Sequence, residues 1–450
     1  MIKSFIIGVI TGAAILSVAL YSSYFFVSTV TYSTPNDVPP VVIPPVPIDT
    51  RPVVEHIPLP EQVKTIYMTA CALGTLSFRA DLLDVIDTTE VNSIMIDIRD
   101  YSGSISFPPP KDSVWYSAWQ RAKCGARDAA EFIATLHSKG VYVIGRITVF
   151  QDPYIASQRR PDLAVKRADG ETVWRDYKGL SFIDVGAKEY WDEIVELTKL
   201  SYNLGFDELN YDYIRYPSDG PMRDISFPHS GTSSRADNLE RFFIYLNEKV
   251  SDPELYSDIR HNNTGRDEAA PYLSADLFGF TATNRDDLSI GQIIERAFPY
   301  FDFIAPMVYP SHYPYNHLGL GDPNDHPYLI VNHAMKSAVR RATATTTPQV
   351  AFAHKRMGTS TPAQYEKAAY TADNLRTWIQ DFDYGGDYDA ADVRAQIKAS
   401  YDAGVDSWMI WSPSNRYTRA ALESATTDIL SATTTPPNST TTAPLEENPN

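Results

Sequence analysis

The chain has 450 residues and a net charge of −17. This length allows one large domain of barrel size, or roughly two or three ordinary domains with tails. A nucleic-acid partner is not expected, because phosphate binding needs clustered Lys and Arg, whereas an excess of acid fits a neutral or cationic ligand better.

The N-terminal segment predicts a membrane anchor. Phe5 to Val30 is almost free of charge and long enough to cross a bilayer as a helix, and Lys3 precedes it. The positive-inside rule then places the rest of the chain outside the cytoplasm, as a single-pass protein of the cell membrane. We therefore expect residues 1–31 to be an anchor. The alternative is a cleaved signal peptide, which would make the protein secreted.

The composition of the remaining chain predicts a linker, a folded domain and a disordered tail. Nine prolines between residues 33 and 60 predict an extended linker over 32–61. The Thr- and Pro-rich C-terminus predicts a disordered tail over 429–450, which leaves 62–428 as one folded domain. Cys71 and Cys124 lack C-x-x-C spacing, so we expect no zinc or redox site, and a disulfide stays open if the chain is exported.

The folded domain alternates short apolar runs with helical patterns. Helices are predicted over Asp128–Ser138 and Lys188–Leu204, each followed by a glycine. Alternation of strands and helices over this length predicts an α/β fold with a parallel sheet, and eight units favour a closed (β/α)8 TIM barrel. The predicted strands are Ile66–Ala70, Ser93–Arg99, Tyr142–Val149, Asp207–Ile214, Tyr272–Phe278, Phe303–Tyr309, Thr377–Phe382 and Ser407–Trp411.

The fourth strand carries polar groups on one face. Side chains alternate along a strand, so Glu208, Asn210 and Asp212 share the predicted lumen face. Leu209, Tyr211 and Tyr213 are expected on the other face. Glu208 lies deepest and is expected to be a structural partner. A half-solvated antiparallel strand is the alternative reading of this pattern.

Four predicted strands end in an aspartate. Chemistry in such barrels collects at the carboxyl ends of the strands, so we expect Asp97, Asp212, Asp276 and Asp381 at one rim. Glycoside hydrolysis needs two carboxyl groups, and like charges held close divide them into a proton donor and a nucleophile. Each aspartate could instead cap a helix or pair with an arginine.

Further residues near the strand ends are candidate substrate contacts. Arg146 could orient a rim carboxylate or form a supporting salt bridge, and these two roles stay open. Aromatic faces such as Trp411 suit stacking against sugar rings. No metal or other cofactor is expected, because His312 and His317 lack a third ligand. The predicted substrate contacts are Asp97, Arg146, Asn210, Arg215, Tyr309, His312, Trp411 and Asn415.

Several motifs together resemble the bacterial glycoside hydrolase domain family DUF4015. The resemblance covers about residues 62 to 425. It implies an alpha-amylase-like TIM barrel with Asp212 as nucleophile, Asp276 as acid/base and Asp381 as transition-state stabiliser. Amylases usually have an arginine and a glutamate where this chain has Asn210 and Asp276. The motifs are Val91–Asp100, Gly145–Ile147, Gly205–Glu208, Asp212–Pro217, Ser274–Asp276, Ala305–His312, Trp378–Phe382 and Trp411–Asn415.

Together these observations predict a glycosidase outside the cytoplasm that cleaves O-glycosidic bonds in a cell-surface or environmental polysaccharide. One alternative is a non-catalytic barrel that binds carbohydrate through the same aromatic and acidic residues. A deacetylase or lyase on the same surface is a third possibility, although the missing cluster of metal ligands disfavours a deacetylase.

Overall fold

The computed structural model describes residues 49–266, 269–359 and 361–425. The predicted anchor at 1–31, most of the linker and the predicted tail at 429–450 lie outside these ranges. In the described ranges, no helix combines the length and the apolar character needed to cross a bilayer.

Eight parallel strands close into a barrel in which the last strand pairs with the first. This confirms the predicted (β/α)8 TIM barrel, and each predicted strand overlaps an observed one. The strands are β1 (Lys64–Met68), β2 (Ser93–Arg99), β3 (Tyr142–Thr148), β4 (Glu208–Asp212), β5 (Tyr272–Phe278), β6 (Phe303–Met307), β7 (Thr377–Gln380) and β8 (Trp408–Trp411).

Helices of unequal length connect the strands. The helix α5 (Lys188–Leu204) has the predicted bounds and ends at Gly205, whose φ of 119° only glycine adopts readily. The predicted helix at Asp128–Ser138 is α4, with Asp128 at its N-cap. The α-helices are α1 (Ala70–Leu73), α2 (Leu76–Thr88), α3 (Tyr116–Gln120), α4 (Ala129–Ser138), α5 (Lys188–Leu204), α6 (Arg235–Val250), α7 (Ile294–Ala297), α8 (Pro327–Thr343) and α9 (Ala390–Asp402).

The barrel has two apolar layers because the strands alternate their side chains. On β2, Ile94, Ile96 and Ile98 face the helices and belong to the large core between barrel and helices. Met95 faces the lumen, where it packs in a smaller cluster with Tyr142 and other lumen residues. A packed lumen supports the barrel from inside.

Two short sheets and a disulfide lie outside the barrel. In the segment between α8 and β7, Thr346–Thr347, Lys355–Met357 and Gln364–Glu366 form an antiparallel sheet. Cys71 and Cys124 form a disulfide that joins α1 to the segment before α4. The possibility left open by the sequence is therefore realised.

The last part of the predicted linker packs against the barrel. Val53–Glu55 forms a parallel strand with Arg260–Asn262. Next to this pair, the His56 ring bonds to His261, with 2.9 Å between Nε2 and Nδ1. The Tyr202 ring stacks on both histidines at 4.3 and 4.4 Å. Burial, together with the charge of His56, lowers the pKa of His261 to about 4.

This histidine contact predicts that acid weakens the domain. Unfolded His261 takes up a proton near pH 6.5 and folded His261 only near 4, so its stabilising contribution is complete above 6.5 and is lost as the pH falls toward 4. We expect a loss of about 1 kcal/mol between pH 7 and 5, after discounting for the partial exposure of the ring. Urea unfolding at both pH values should show this loss, and His261→Gln should reduce it. The exposed His333→Gln variant is the control, and an equal loss in His261→Gln would contradict the assignment.

Candidate active site

Strand register brings the polar residues together. Asp97 on β2 lies beside Arg146 on β3, and Arg146 lies beside Asn210 on β4. Asn210 in turn lies beside Ser274 on β5. Because side chains on one face repeat every second residue, Asp212 and Asp276 lie one inward step above Asn210 and Ser274. Three aspartates therefore surround one arginine at the upper end of the lumen.

Arg146 is the common partner of these carboxylates. Its Nη1 donates to Asp97 Oδ1 at 2.7 Å, while Nη2 and Nε donate to Asp212 Oδ2 at 2.5 and 3.2 Å. Its Nε is also 3.9 Å from Asp276 Oδ2. Burial opposes the charge, yet Asp212 and Asp97 hold the pKa of Arg146 well above its ordinary value. Arg146 thus joins β3 to β2 and β4 through salt bridges and contacts the carboxylates at the rim.

Asp276 is the carboxyl group that keeps its proton. Burial, followed by the charge of Asp212, raises its pKa to about 8, although Arg146 opposes the shift. Trp378 Nε1 and Asn210 Nδ2 donate to Asp276 Oδ1 at 2.7 and 3.0 Å. These two donors occupy Oδ1, so the proton belongs on Oδ2. At neutral pH Asp276 can therefore act as a general acid.

Asp212 is held in a different way. Arg146 contacts its Oδ2, and the amide of Tyr213 donates to its Oδ1 at 2.5 Å. Tyr213 has a φ of 51°, a left-handed conformation that is uncommon outside glycine. This turn ends the alternation of β4, so Tyr213 lines the cavity with Asp212, and its predicted place on the outer face is wrong.

Asp97 supports the arginine from below. The hydroxyl of Tyr67 and Nη1 of Arg146 both donate to its carboxyl group. Burial raises the pKa of Asp97 to about 6, against the effect of Arg146. Asp97 is 3% exposed and does not line the cavity, so it is a positioning residue.

A cavity of about 250 Å³ opens above this group. It is smaller than the roughly 300–1,000 Å³ of pockets for drug-sized ligands, which suits a single ring. The predicted residues that line it are Arg146, Asp212, Arg215, Asp276, Tyr309, His312 and Trp411. The other lining residues are Tyr213, Phe278, Gly279, Phe280, Met307, Tyr313 and Trp378.

Aromatic rings form one wall of the cavity. Trp411 stacks on Tyr67 at 4.1 Å and meets the edge of Trp378 at 5.8 Å. The guanidinium of Arg146 lies 5.3 Å from the Trp411 ring. Burial raises the pKa of Tyr309 well above its ordinary value, so its hydroxyl stays a neutral hydrogen-bonding group. A flat aromatic wall beside polar groups fits the apolar face and the hydroxyls of a sugar.

Four predicted site residues are absent from the lining of this cavity. Asp97 and Asn210 act through Arg146 and Asp276. Asn415 instead bonds to the β1 backbone, where its Nδ2 donates to the Tyr67 carbonyl at 3.2 Å. Asp381 accepts two hydrogen bonds from Thr418, at 2.7 Å each, and anchors that loop. Trp378 and Gln380 face inward, and Asp381 follows each of them by an odd number of residues, so its side chain lies on the other face of β7. The structure thus does not bring Asp381 to the other carboxylates.

Sequence reasoning missed two aromatic partners and identified one structural acid correctly. Tyr67 and Trp378 each donate to a site carboxylate. Trp378 could have been found by alternation along β7, whereas no local pattern marks Tyr67. Glu208 is a structural partner as predicted, since it accepts a hydrogen bond from Arg376 at 2.6 Å. Within the described ranges, no group of three potential ligand side chains is arranged to hold a metal ion.

The fold and site are those of a (β/α)8 barrel with paired carboxylates at the carboxyl ends of its strands, as glycoside hydrolases have. The chain belongs to the DUF4015 family, described as “Putative glycosyl hydrolase domain”, which matches residues 65–417. No curated protein matches the chain in sequence.

The chain is similar to several solved structures. The glycoside hydrolase domain of PgaB (BpsB) from Bordetella bronchiseptica is 12% identical, with a TM-score of 0.54, and the match covers 80% of this chain and 99% of that one. A hypothetical protein from Ruminiclostridium thermocellum is 26% identical over 44% of this chain and 95% of its own, with a TM-score of 0.36. The glycoside hydrolase domain of PelA from Pseudomonas aeruginosa is 11% identical over 79% and 97%, with a TM-score of 0.40.

Removal of the Arg146 charge should destabilise the domain. In Arg146→Met, the carboxylates of Asp97 and Asp212 are left buried without a cation, which costs about 3–5 kcal/mol. The loss should be larger at pH 8 than at pH 5, because acid protonates the unpaired carboxylates. Urea unfolding measures both values.

The control is Arg167→Met, which removes a surface pair with Asp224. A solvent-exposed pair contributes little to stability, so this variant should stay close to the parent protein. Equal destabilisation in the two variants would contradict the central role of Arg146.

Proposed function

We propose that the protein is a glycosidase that cleaves O-glycosidic bonds of a polysaccharide with Asp276 and Asp212. The observation that carries the proposal is the unequal treatment of two aspartates in one cavity. Asp276 keeps its proton, whereas Asp212 is ion-paired with Arg146. Glycoside hydrolysis requires this division between a proton donor and a charged carboxylate.

The proposed reaction begins with proton transfer. Asp276 donates its proton to the glycosidic oxygen as that bond breaks, and the carboxylate of Asp212 attacks the anomeric carbon. Asp276 then becomes negative, and Arg146, 3.9 Å from its Oδ2, stabilises the new charge. Water cleaves the glycosyl–Asp212 bond in the second step, with Asp276 as the base that takes a proton from it.

The substrate is proposed to be a cell-surface or environmental polysaccharide. The Cys71–Cys124 disulfide supports a location outside the cytoplasm, because such bonds persist in oxidising compartments. The apolar run from Phe5 to Val30 supports export as well. The membrane anchor itself stays a prediction.

Substitution of either aspartate should abolish turnover and spare binding. We expect Asp276→Asn and Asp212→Asn to release reducing ends about 10²–10⁴-fold more slowly from a panel of bacterial and plant polysaccharides. The exposed Asp219→Asn is the matched control and should behave as the parent. Asp381→Asn should lose stability and keep turnover within about tenfold, since Asp381 holds only Thr418.

Different outcomes separate hydrolysis from carbohydrate binding alone. Binding of a glycan by the parent protein without release of reducing ends from any polysaccharide would favour the non-catalytic barrel. Full turnover in Asp276→Asn would remove Asp276 from the mechanism.

The pH dependence of kcat/KM should show the effect of the hydrogen bond from Trp378 to Asp276. Asp276 must be protonated, so kcat/KM should fall above about pH 8. The Trp378 hydrogen bond lowers the pKa of Asp276, so Trp378→Phe should move this basic limb to higher pH. Trp408→Phe is the control, because Trp408 is buried and donates to Tyr401 instead. An unmoved limb in Trp378→Phe would contradict the assignment of that limb to Asp276.

A further inference from the structure

Arg215 brings an uncompensated positive charge to the cavity. It lies three residues after Asp212 and lines the same cavity. Unlike Arg146, it has no carboxylate within 4.0 Å among the described residues. Its guanidinium lies 4.8 Å from the ring of Tyr213, which restricts its orientation. The guanidinium of Arg215 is therefore restricted in orientation, and its positive charge is accessible to a ligand.

One nitrogen of the Arg215 guanidinium already has hydrogen-bond partners. Nη1 donates to the Tyr216 carbonyl at 3.0 Å and to Ser218 Oγ at 3.2 Å. Nε and Nη2 have no hydrogen-bond partner in the part of the chain that the structure describes. These two nitrogens carry parallel N–H bonds on one edge of the group, the geometry that binds a carboxylate through both oxygens.

Among the described residues that line the cavity, Arg215 is a cation without a carboxylate partner. Arg146 is engaged by the two carboxylates of Asp97 and Asp212, and burial raises the pKa of Asp276 to about 8. His312 is uncharged, because burial, with the nearby Lys178 charge, lowers its pKa. Lys178 is exposed near His312 and adds to the positive potential there. Arg215 and Lys178 thus place positive charge beside the cavity, although the net charge of the chain, on which the expectation of a neutral or cationic ligand was based, is negative.

We propose that the cavity binds a sugar ring that carries a carboxylate, a hexuronic acid, and that Nε and Nη2 of Arg215 hold this carboxylate. The proposal rests on the glycosidase function proposed above and names its substrate class. The aromatic wall receives the ring, and Arg215 selects the acidic sugar. A carboxylate fits better than a sulfate ester, since the open edge of the guanidinium offers two coplanar donors to two coplanar oxygens.

Sugar binding by the full chain tests this assignment directly. Ligand-detected NMR titrations compare glucuronate, galacturonate and mannuronate with glucose, galactose and mannose, and with glucose 6-sulfate. We expect at least one uronate to bind about tenfold or more tightly than its neutral parent sugar. Arg215→Gln should remove the preference, and Arg215→Lys should recover only part of it because lysine lacks the paired donors.

Arg223→Gln is the matched control, since Arg223 is exposed on the same loop and does not line the cavity. Equal affinity for neutral and acidic sugars, no binding of any uronate, or a preference that survives Arg215→Gln would overturn the proposal. Stronger binding of glucose 6-sulfate than of the uronates would also overturn it, in favour of a sulfate ester.

The two proposals fail in different ways. Cleavage of a neutral polysaccharide that is unaffected by Arg215→Gln would overturn the uronate proposal and leave the glycosidase proposal intact. Uronate binding that requires Arg215, with no release of reducing ends from polyuronides or neutral glycans, would overturn the glycosidase proposal and leave uronate binding by Arg215 intact.

Discussion

The contact of Arg146 with its three aspartates is the interaction on which the site depends. Moving a cation from water into the protein interior costs free energy, and moving a carboxylate there is equally costly. Each charge is therefore tolerated in the lumen only when the other is its partner. Arg146 is fully matched by Asp97 and Asp212, which leaves Asp276 without a complete partner at 3.9 Å. Burial and the nearby charge of Asp212 therefore raise the pKa of Asp276, and the shortage of positive charge leaves this shift uncompensated.

The barrel makes this contact possible. Asp97, Arg146, Asp212 and Asp276 come from four consecutive strands, and only their parallel pairing in register brings them to two adjacent levels of the lumen. The packed aromatic and methionine layer beneath excludes water from below. Tyr67 and Trp378 then bind the outer sides of Asp97 and Asp276, so the carboxyl groups keep fixed orientations. Arg215 lines the cavity outside this group and has no carboxylate partner among the described residues, which is why its charge is available to a ligand.

Much of the fold followed from the sequence because the barrel strands and the helices around them have strong periodic patterns. All eight strands, and α5 with its terminal glycine, were predicted close to their observed bounds. Asp212 and Asp276 were found because aspartates at strand ends meet at one rim. Asp381 was misplaced because strict alternation along β7 was not applied to it, and Tyr213 because its left-handed backbone interrupts the alternation that was applied.

Other features depend on contacts between distant segments. Tyr67 donates to Asp97 only when β1 and β2 have paired, and no local sequence pattern predicts this hydrogen bond. Val53–Glu55 reads as part of a proline-rich linker but pairs with residues some two hundred positions away. The free edge of Arg215 is visible only once the partners of every nearby carboxylate are known.

The protonation of Asp276 can be measured without any substrate by carboxyl ¹³C NMR of aspartate-labelled protein. We predict one aspartate that titrates at a pH of about 8 and whose signal is absent from Asp276→Asn. A spectrum in which no aspartate titrates above pH 6.5, or in which the high-pH titration persists in Asp276→Asn, would contradict it.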